Sequence, residues 1–202
     1  MYLSKVMISG SACRNPYEIH RVLWKLFPHD DDAERDFLFR IERSGQQKAE
    51  ILLQSLREPV NTVEREVRII GSKPYPLHLN AGQRLRYFLL ANPVKTISDE
   101  GGRLNAGGEI KKCRVPLIRD EELQSWLVRK LEGCVSVEMV QAEKRPPLNF
   151  RKAIERRAGK IQPSSFQGTL IVVDPEGLKK MVASGIGPAK AFGCGLLSLA
   201  KL

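Results

Sequence analysis

"MYLSKVMISGSACRNPYEIHRVLWKLFP", Met1 to Pro28, holds the transition that decides the fold. Its first nine residues alternate apolar and polar, which is the period-2 pattern of a half-buried strand. Asn15-Pro16 then supplies a capping side chain and a preset φ, and the apolar positions change to helical spacing. Ile19, Val22, Leu23, Leu26 and Phe27 fall on one stripe of that helix, and Leu26-Phe27-Pro28 closes it. A strand leading into a helix with one apolar face is the start of an α+β unit, because each element must bury its face against the other.

The rest of the chain continues that pattern. "RDFLFRIER" (Arg35 to Arg43) and "AEILLQSL" (Ala49 to Leu56) predict two strands around a loop containing Ser-Gly. "EPVNTVEREVRII" reads as helix or irregular structure in its first half, and "QRLRYFLLANP" (Gln83 to Pro93) as a further strand. Strand–helix–strand–strand–(helix)–strand is the order of a ferredoxin-like unit. "SDEGGRLNAGGEIKK" is rich in Gly and polar residues and predicts a loop or hairpin tip between two halves.

Beyond it "KKCRVPLI" is a strand, and "RDEELQSWLVRKLEG" is a helix with acidic residues first and basic residues last. "VSVEMVQA" and "FQGTLIVVD" are strands, "PEGLKKMVASG" a helix and "CGLLSLA" the last strand. The predicted fold class is α+β, with two tandem ferredoxin-like domains. Residues 1–92 form the first and 111–202 the second, with a Gly-rich connecting loop or hairpin over 93–110.

At 42% hydrophobic and 28% charged, the 202 residues can bury a core and stay in solution. No run approaches the roughly 18 apolar residues of a membrane span. The N-terminal stretch lacks the charged and apolar regions of a secretory leader, which predicts a cytoplasmic protein. Cys13, Cys113, Cys134 and Cys194 are scattered and read as free thiols in a reducing compartment. Three histidines without cysteine pairs or an i, i+4 partner predict no transition-metal site and no cofactor.

The net charge of +10 is unevenly placed. Residues 1–60 carry nine Lys/Arg and nine Asp/Glu, so the whole surplus lies beyond them. "KRPPLNFRKAIERRAGK", Lys144 to Lys160, holds seven basic residues against one acidic. Such asymmetry points to a polyanion, because each phosphate neutralised releases counterions. Lys112 and Arg114 share one face of their strand, which Lys111 cannot, and are candidates for contact with a nucleic-acid backbone. Arg151, Lys152, Arg156 and Arg157 are the others.

Two places suggest chemistry. His20 lies at the border of the apolar stripe, with Tyr17 one turn before it and Arg21 beyond. An imidazole at that border can act as acid or base near neutral pH, or can simply cap the edge of the core. "GIGPAKAFGCG" places Gly185, Gly187, Gly193 and Gly195 as two Gly-x-Gly pairs around Lys190. Glycines let backbone N–H groups approach a phosphate, and they equally serve as a helix cap and tight turn. Lys160, at the end of the basic segment, could neutralise charge on a reacting phosphate or only contact a phosphate backbone.

In combination, "MYLSKV", "LWKLFP", "RDFLFR", "LLQS", "ANPVKT", "CRVPLI", "GKIQ" and "GIGPAKAFGCGLLSLA" resemble the CRISPR-associated endoribonuclease that matures guide RNA in the type I-E Cascade system. The terminal glycine pattern is similar to the glycine-rich loop of the repeat-associated RNA-binding superfamily. The resemblance implies two RRM-like domains and an RNase that cuts the CRISPR repeat transcript once, at the base of its hairpin. It implies a catalytic histidine at His20, a nearby tyrosine at Tyr17 and a lysine at Lys160. It also implies that the enzyme stays on the crRNA hairpin and joins other Cascade subunits.

On that basis the ribose 2′-hydroxyl is the nucleophile, and the expected products are a 2′,3′-cyclic phosphate and a 5′-hydroxyl without help from a metal. A catalytically silent RNA-hairpin-binding subunit of the same superfamily is the alternative. A small-molecule enzyme is disfavoured by the basic surplus and the lack of a carboxylate or cysteine constellation.

Overall fold

The computed structural model describes residues 1–27, 35–61, 65–152 and 157–202. In chain order, β1 (Tyr2–Ser9) leads to α1 (Pro16–Trp24), β2 (Phe37–Ser44), β3 (Lys48–Ser55) and β4 (Val67–Pro74). These strands form one antiparallel sheet in the order β2-β3-β1-β4. Next come β5 (Arg84–Ala91), the hairpin of β6 (Val94–Ser98) and β7 (Lys112–Pro116), α2 (Asp120–Leu131) and β8 (Val135–Lys144). A second hairpin, β9 (Leu148–Lys152) with β10 (Arg157–Ile161), precedes β11 (Ser164–Val172), α3 (Pro175–Ser184) and β12 (Leu197–Lys201). The second antiparallel sheet has the order β12-β5-β11-β8.

Both sheets have the ferredoxin-like arrangement, in which the first strand lies between the third and fourth. The fold is therefore α+β with two tandem ferredoxin-like units. The two hairpins are insertions into the second unit. In the first unit, the described part of the segment between β3 and β4 holds no helix.

The apolar stripe of α1 is buried, with Ile19, Leu23 and Leu26 at 0% exposure against Val6, Ile8, Phe39 and Ile51 of the first sheet. Trp126 of α2 stacks on Phe166 of the second sheet, with ring centroids 5.8 Å apart. Each sheet thus has its own core.

Two strand assignments need correction. Gln83–Pro93, expected to end the first unit, becomes β5 and pairs with β11 and β12 of the second sheet. The first sheet takes β4 instead, where only Val67 is buried and the alternation is correspondingly weak. "KKCRVPLI", expected to open the second unit, is one arm of the β6–β7 hairpin. The Gly-rich stretch is the tip of that hairpin and does not connect the two sheets. We propose that the units divide between Pro74 and Arg84, in place of residue 92.

The two units are joined at β2, the edge of the first sheet. Phe37 and Phe39 belong to the α1 core, while Leu38 and Arg40 are also buried. Arg40 donates through Nη1 to Ser198 Oγ at 2.9 Å and sits 4.6 Å over the Phe88 ring. Gln54 Nε2 donates to the carbonyl of Val182 at 2.8 Å. Gly185 has φ 76° and ψ 159°, a region essentially confined to glycine. A Cβ there would lie 2.8 Å from both Leu38 methyls.

Gly185→Ala should therefore destabilise the protein by about 1–3 kcal/mol through backbone strain alone, and by more where Leu38 cannot yield. Denaturant unfolding of Gly185→Ala, Leu38→Ala and the double variant checks this. The double variant should lose less than the sum of the singles, since removing Leu38 relieves the clash.

Candidate active site

Helix α1 begins where the Asn15 side chain accepts a hydrogen bond from Tyr17 N at 3.1 Å and Pro16 takes the first position. That cap fixes the first turn, which carries Tyr17, and the next turn carries His20. Arg21 pairs with Glu18 at 3.1 Å on the exposed side.

The His20 ring is half-buried among aromatics. Its centroid lies 5.5 Å from Phe37, 6.3 Å from Phe39 and 6.3 Å from Trp24. Nε2 is buried and has no hydrogen-bond partner among the described residues. Desolvation, and after it the positive charge of Arg35, push the imidazole pKa down from 6.5 to about 4. His20 is thus neutral at pH 7, with one ring nitrogen carrying a lone pair.

Helix α1 packs against the 3₁₀ turn Lys190–Phe192 and against β9, so the N-terminal helix meets two elements of the second unit. The contacts are aromatic: Phe192 lies 6.4 Å from Tyr17 and 4.3 Å from Phe150 of β9, centroid to centroid. Lys160 sits on β10 opposite Asn149 of β9, and is exposed. Arg114, Phe150, Lys160, Pro188, Ala189 and Phe192 line one groove of about 640 Å³. The structure therefore brings the His20/Tyr17 helix, the glycine-bracketed turn and the Lys160 hairpin to one end of the molecule.

The four glycines have φ of 76°, 77°, 85° and 95° in chain order, so all need the freedom glycine has. Their Cβ directions face protein. Gly187 lies against the Trp126 ring, Gly193 against Phe39 and Gly195 against the Ile186 carbonyl. The close approach that glycine allows at these positions is to the protein's own groups. Lys190 Nζ donates to the Ser184 carbonyl at 2.6 Å, and burial followed by the Arg35 charge lowers its pKa. Ala189, with φ 66°, is the one described non-glycine residue in a left-handed conformation.

Lys112 and Arg114 alternate with less exposed neighbours along β7 and share its open face. Arg151 and Lys152 lie in β9, and Arg157 pairs opposite Lys152 from β10. Arg156 lies outside the described residues, as does His29. His78 is exposed beside β12, away from the groove.

Three residues at this end were not singled out in the sequence. Arg35 lies just before β2, and its charge acts on both His20 and Lys190. No local pattern marks it, because it becomes a neighbour only through the sheet. Phe192 and Phe150 carry a faint signal, as bulky apolar residues inside a glycine turn and a basic run.

A family model described as CRISPR associated protein matches residues 1–201. The chain is 45% identical to the CRISPR system Cascade subunit CasE of Escherichia coli K12, covering all of both chains. The crystal structure of the CRISPR-associated protein Cas6e from E. coli K-12 superposes with a TM-score of 0.86 at 43% identity, again over all of both chains. A structure of the CRISPR endoribonuclease Cse3 bound to a 19-nucleotide RNA gives 0.77 at 34% identity, covering 99% of this chain and all of that one. With its two ferredoxin-like sheets and its end-to-end match, the chain belongs to this family of CRISPR-associated proteins.

Proposed function

We propose that this protein is a metal-independent endoribonuclease that cuts CRISPR repeat RNA at the base of its hairpin. The observation that carries this reading is the unpartnered, desolvated imidazole of His20. It sits one turn from Tyr17, on a helix packed against the Lys160 hairpin and the glycine-bracketed turn. A buried polar nitrogen left without a partner costs about 1–3 kcal/mol. An incoming ribose hydroxyl is a donor that would satisfy it. The RNA-bound Cse3 relative supports the substrate class.

The chemistry follows from the charge state. An in-line displacement at phosphorus places nucleophile and leaving group on opposite sides, so one imidazole serves one end. A ring that is neutral at pH 7 serves the 2′-hydroxyl end as general base. The covering side chains move aside when RNA seats, and the nearby phosphate offsets the Arg35 field and raises the pKa toward neutrality. Tyr17 orients the phosphate or the nucleophile by hydrogen bonding, and Lys160 stabilises charge on the non-bridging oxygens. The reaction leaves a 2′,3′-cyclic phosphate and a 5′-hydroxyl.

Lys112 and Arg114, with Arg151, Lys152, Arg156 and Arg157, supply backbone contacts to the stem. Lys190, at the glycine-shaped turn, adds positive charge near the reacting phosphate. The protein keeps the crRNA hairpin and works in the cytoplasm, and the name of the CasE relative supports its serving as a Cascade subunit. Among the described residues no helix is long and apolar enough to cross a membrane.

Incubation with the host's own repeat RNA in EDTA tests the core of the proposal. One cut with a cyclic phosphate end is expected, and intact bound RNA would indicate a silent binder. His20→Ala should bind the hairpin with little change and cut it about 10²–10⁴-fold more slowly in single-turnover kinetics. Replacing Lys112 and Arg114 together should weaken binding and make the plot of log K against log salt shallower by about one to two units.

Stability should also depend on His20. Between about 4 and 6.5 the unfolded imidazole holds more protons than the folded one. Stability therefore rises with pH across that window and is lost as the pH falls through it. Tm measured against pH should show a steeper acid fall for the wild type than for His20→Asn.

A further inference from the structure

We propose that the groove beside Lys160 is a nucleobase subsite, which takes the base of the nucleotide immediately 3′ of the scissile phosphate and stacks it on Phe150 and Phe192. This rests on the RNA-cleaving reading and extends it to a part of the substrate that the stem does not contain. At about 640 Å³ the groove falls in the size range of ligand pockets.

Its walls combine three kinds of group. The first is an aromatic platform. Phe150 and Phe192 are both half-buried, with rings 4.3 Å apart and inclined by 42°. Phe150 lies across its neighbouring strand at Gly159, where an added Cβ would meet the ring carbon Cζ. Gly159 has no need of a left-handed backbone, so its missing side chain serves the ring that lies over it.

The second kind is cationic. Arg114 and Lys160 both line the groove. The side chain of neither makes a hydrogen bond or ion pair among the described residues, so both cations are available to a phosphate at the groove.

The third is amide. Asn92 has no side-chain partner among the described residues. Gln162 donates from Nε2 to the Arg145 carbonyl at 2.7 Å, which leaves Oε1 as an acceptor for a base amino group. Cations for a phosphate, ring faces for a base and amides for its edge are together the requirements of one unpaired nucleotide.

The position within the RNA follows from pairing. Upstream of the cut the nucleotide remains in the stem, where its base is already stacked and paired. Downstream the chain has left the stem, and its first base needs a new face to stack on. Phe192 places that face against Tyr17, at the same end of the molecule as His20. Holding the leaving nucleotide there keeps the 5′-oxygen in line with the attacking 2′-hydroxyl, so stacking acts on the rate of cutting.

The test uses the host's repeat hairpin with 2-aminopurine at the nucleotide 3′ of the cut and a 2′-deoxy sugar just upstream to block cleavage. A second RNA carries the probe further downstream. Wild-type protein should quench the first probe and leave the second unchanged. Phe150→Ala should abolish the quenching and, on cleavable RNA, lower kcat/KM by about 5- to 150-fold. Gly159→Ala keeps the ring but displaces it, and should also lose quenching, so the result does not depend on Phe150→Ala folding. If the wild type binds the hairpin while the first probe fluoresces as in free RNA, the subsite is overturned and the endoribonuclease reading stands. Folded Gly159→Ala that quenches like the wild type overturns it as well. Failure of the wild type to bind the hairpin overturns both.

Discussion

Strand β2 lies at the edge of the first sheet, yet four consecutive residues from Phe37 to Arg40 are buried, because both faces are covered. Its own helix covers one face. The second unit covers the other through Gly185 against Leu38, and reaches round the edge through Gly193 against Phe39. A side chain at Gly185 would collide with Leu38 and one at Gly193 would press tightly on Phe39, both at backbone angles that other residues rarely adopt. Much of the rest follows from this grip. It fixes where the Lys190–Phe192 turn lies, hence where Phe192 meets Tyr17, and hence how the His20 helix faces the hairpin carrying Lys160. The candidate site is made of pieces from both units, and neither could form it alone.

That dependence explains which parts of the fold were legible beforehand. Strand and helix identities were plain wherever one face is buried. β1 alternates with Val6 and Ile8 inward, and α1 shows an uninterrupted stripe. Sheet membership was not legible. β4 buries only Val67, so its alternation is faint, while β5 alternates cleanly and invites assignment to the nearest unit. Alternation reports that a face is buried, and says nothing about which sheet buries it. The inserted hairpins have the same difficulty, since β7 has the residue pattern of an ordinary strand although among the described residues it pairs with β6 alone.

The site was legible to a similar depth. The helical wheel placed His20 at the edge of the core, and the ring is indeed half-buried beside Phe37 and Phe39. The glycine pattern was conspicuous, but its physical reason is tertiary. Gly185 and Gly193 make room for residues some 150 positions away in the chain, and no local rule shows that. Arg35 is a stronger case of the same limit. Its influence on His20 comes from its position at the mouth of β2, and that position exists only once the sheet has formed.

The electrostatics around His20 then constrain what the ring can do. Desolvation and a neighbouring guanidinium both oppose protonation, so the resting site holds a base in a cationic setting. A phosphate entering that setting is attracted by the same charge that keeps the imidazole neutral. On the proposed reading, its arrival partly cancels the field and makes the ring more basic. An acid at this position would need a ring already protonated at neutral pH, which a pKa of about 4 does not provide. On the proposed reading, the proton that reaches the departing 5′-oxygen therefore comes from a group other than His20, because one imidazole serves one end of an in-line displacement.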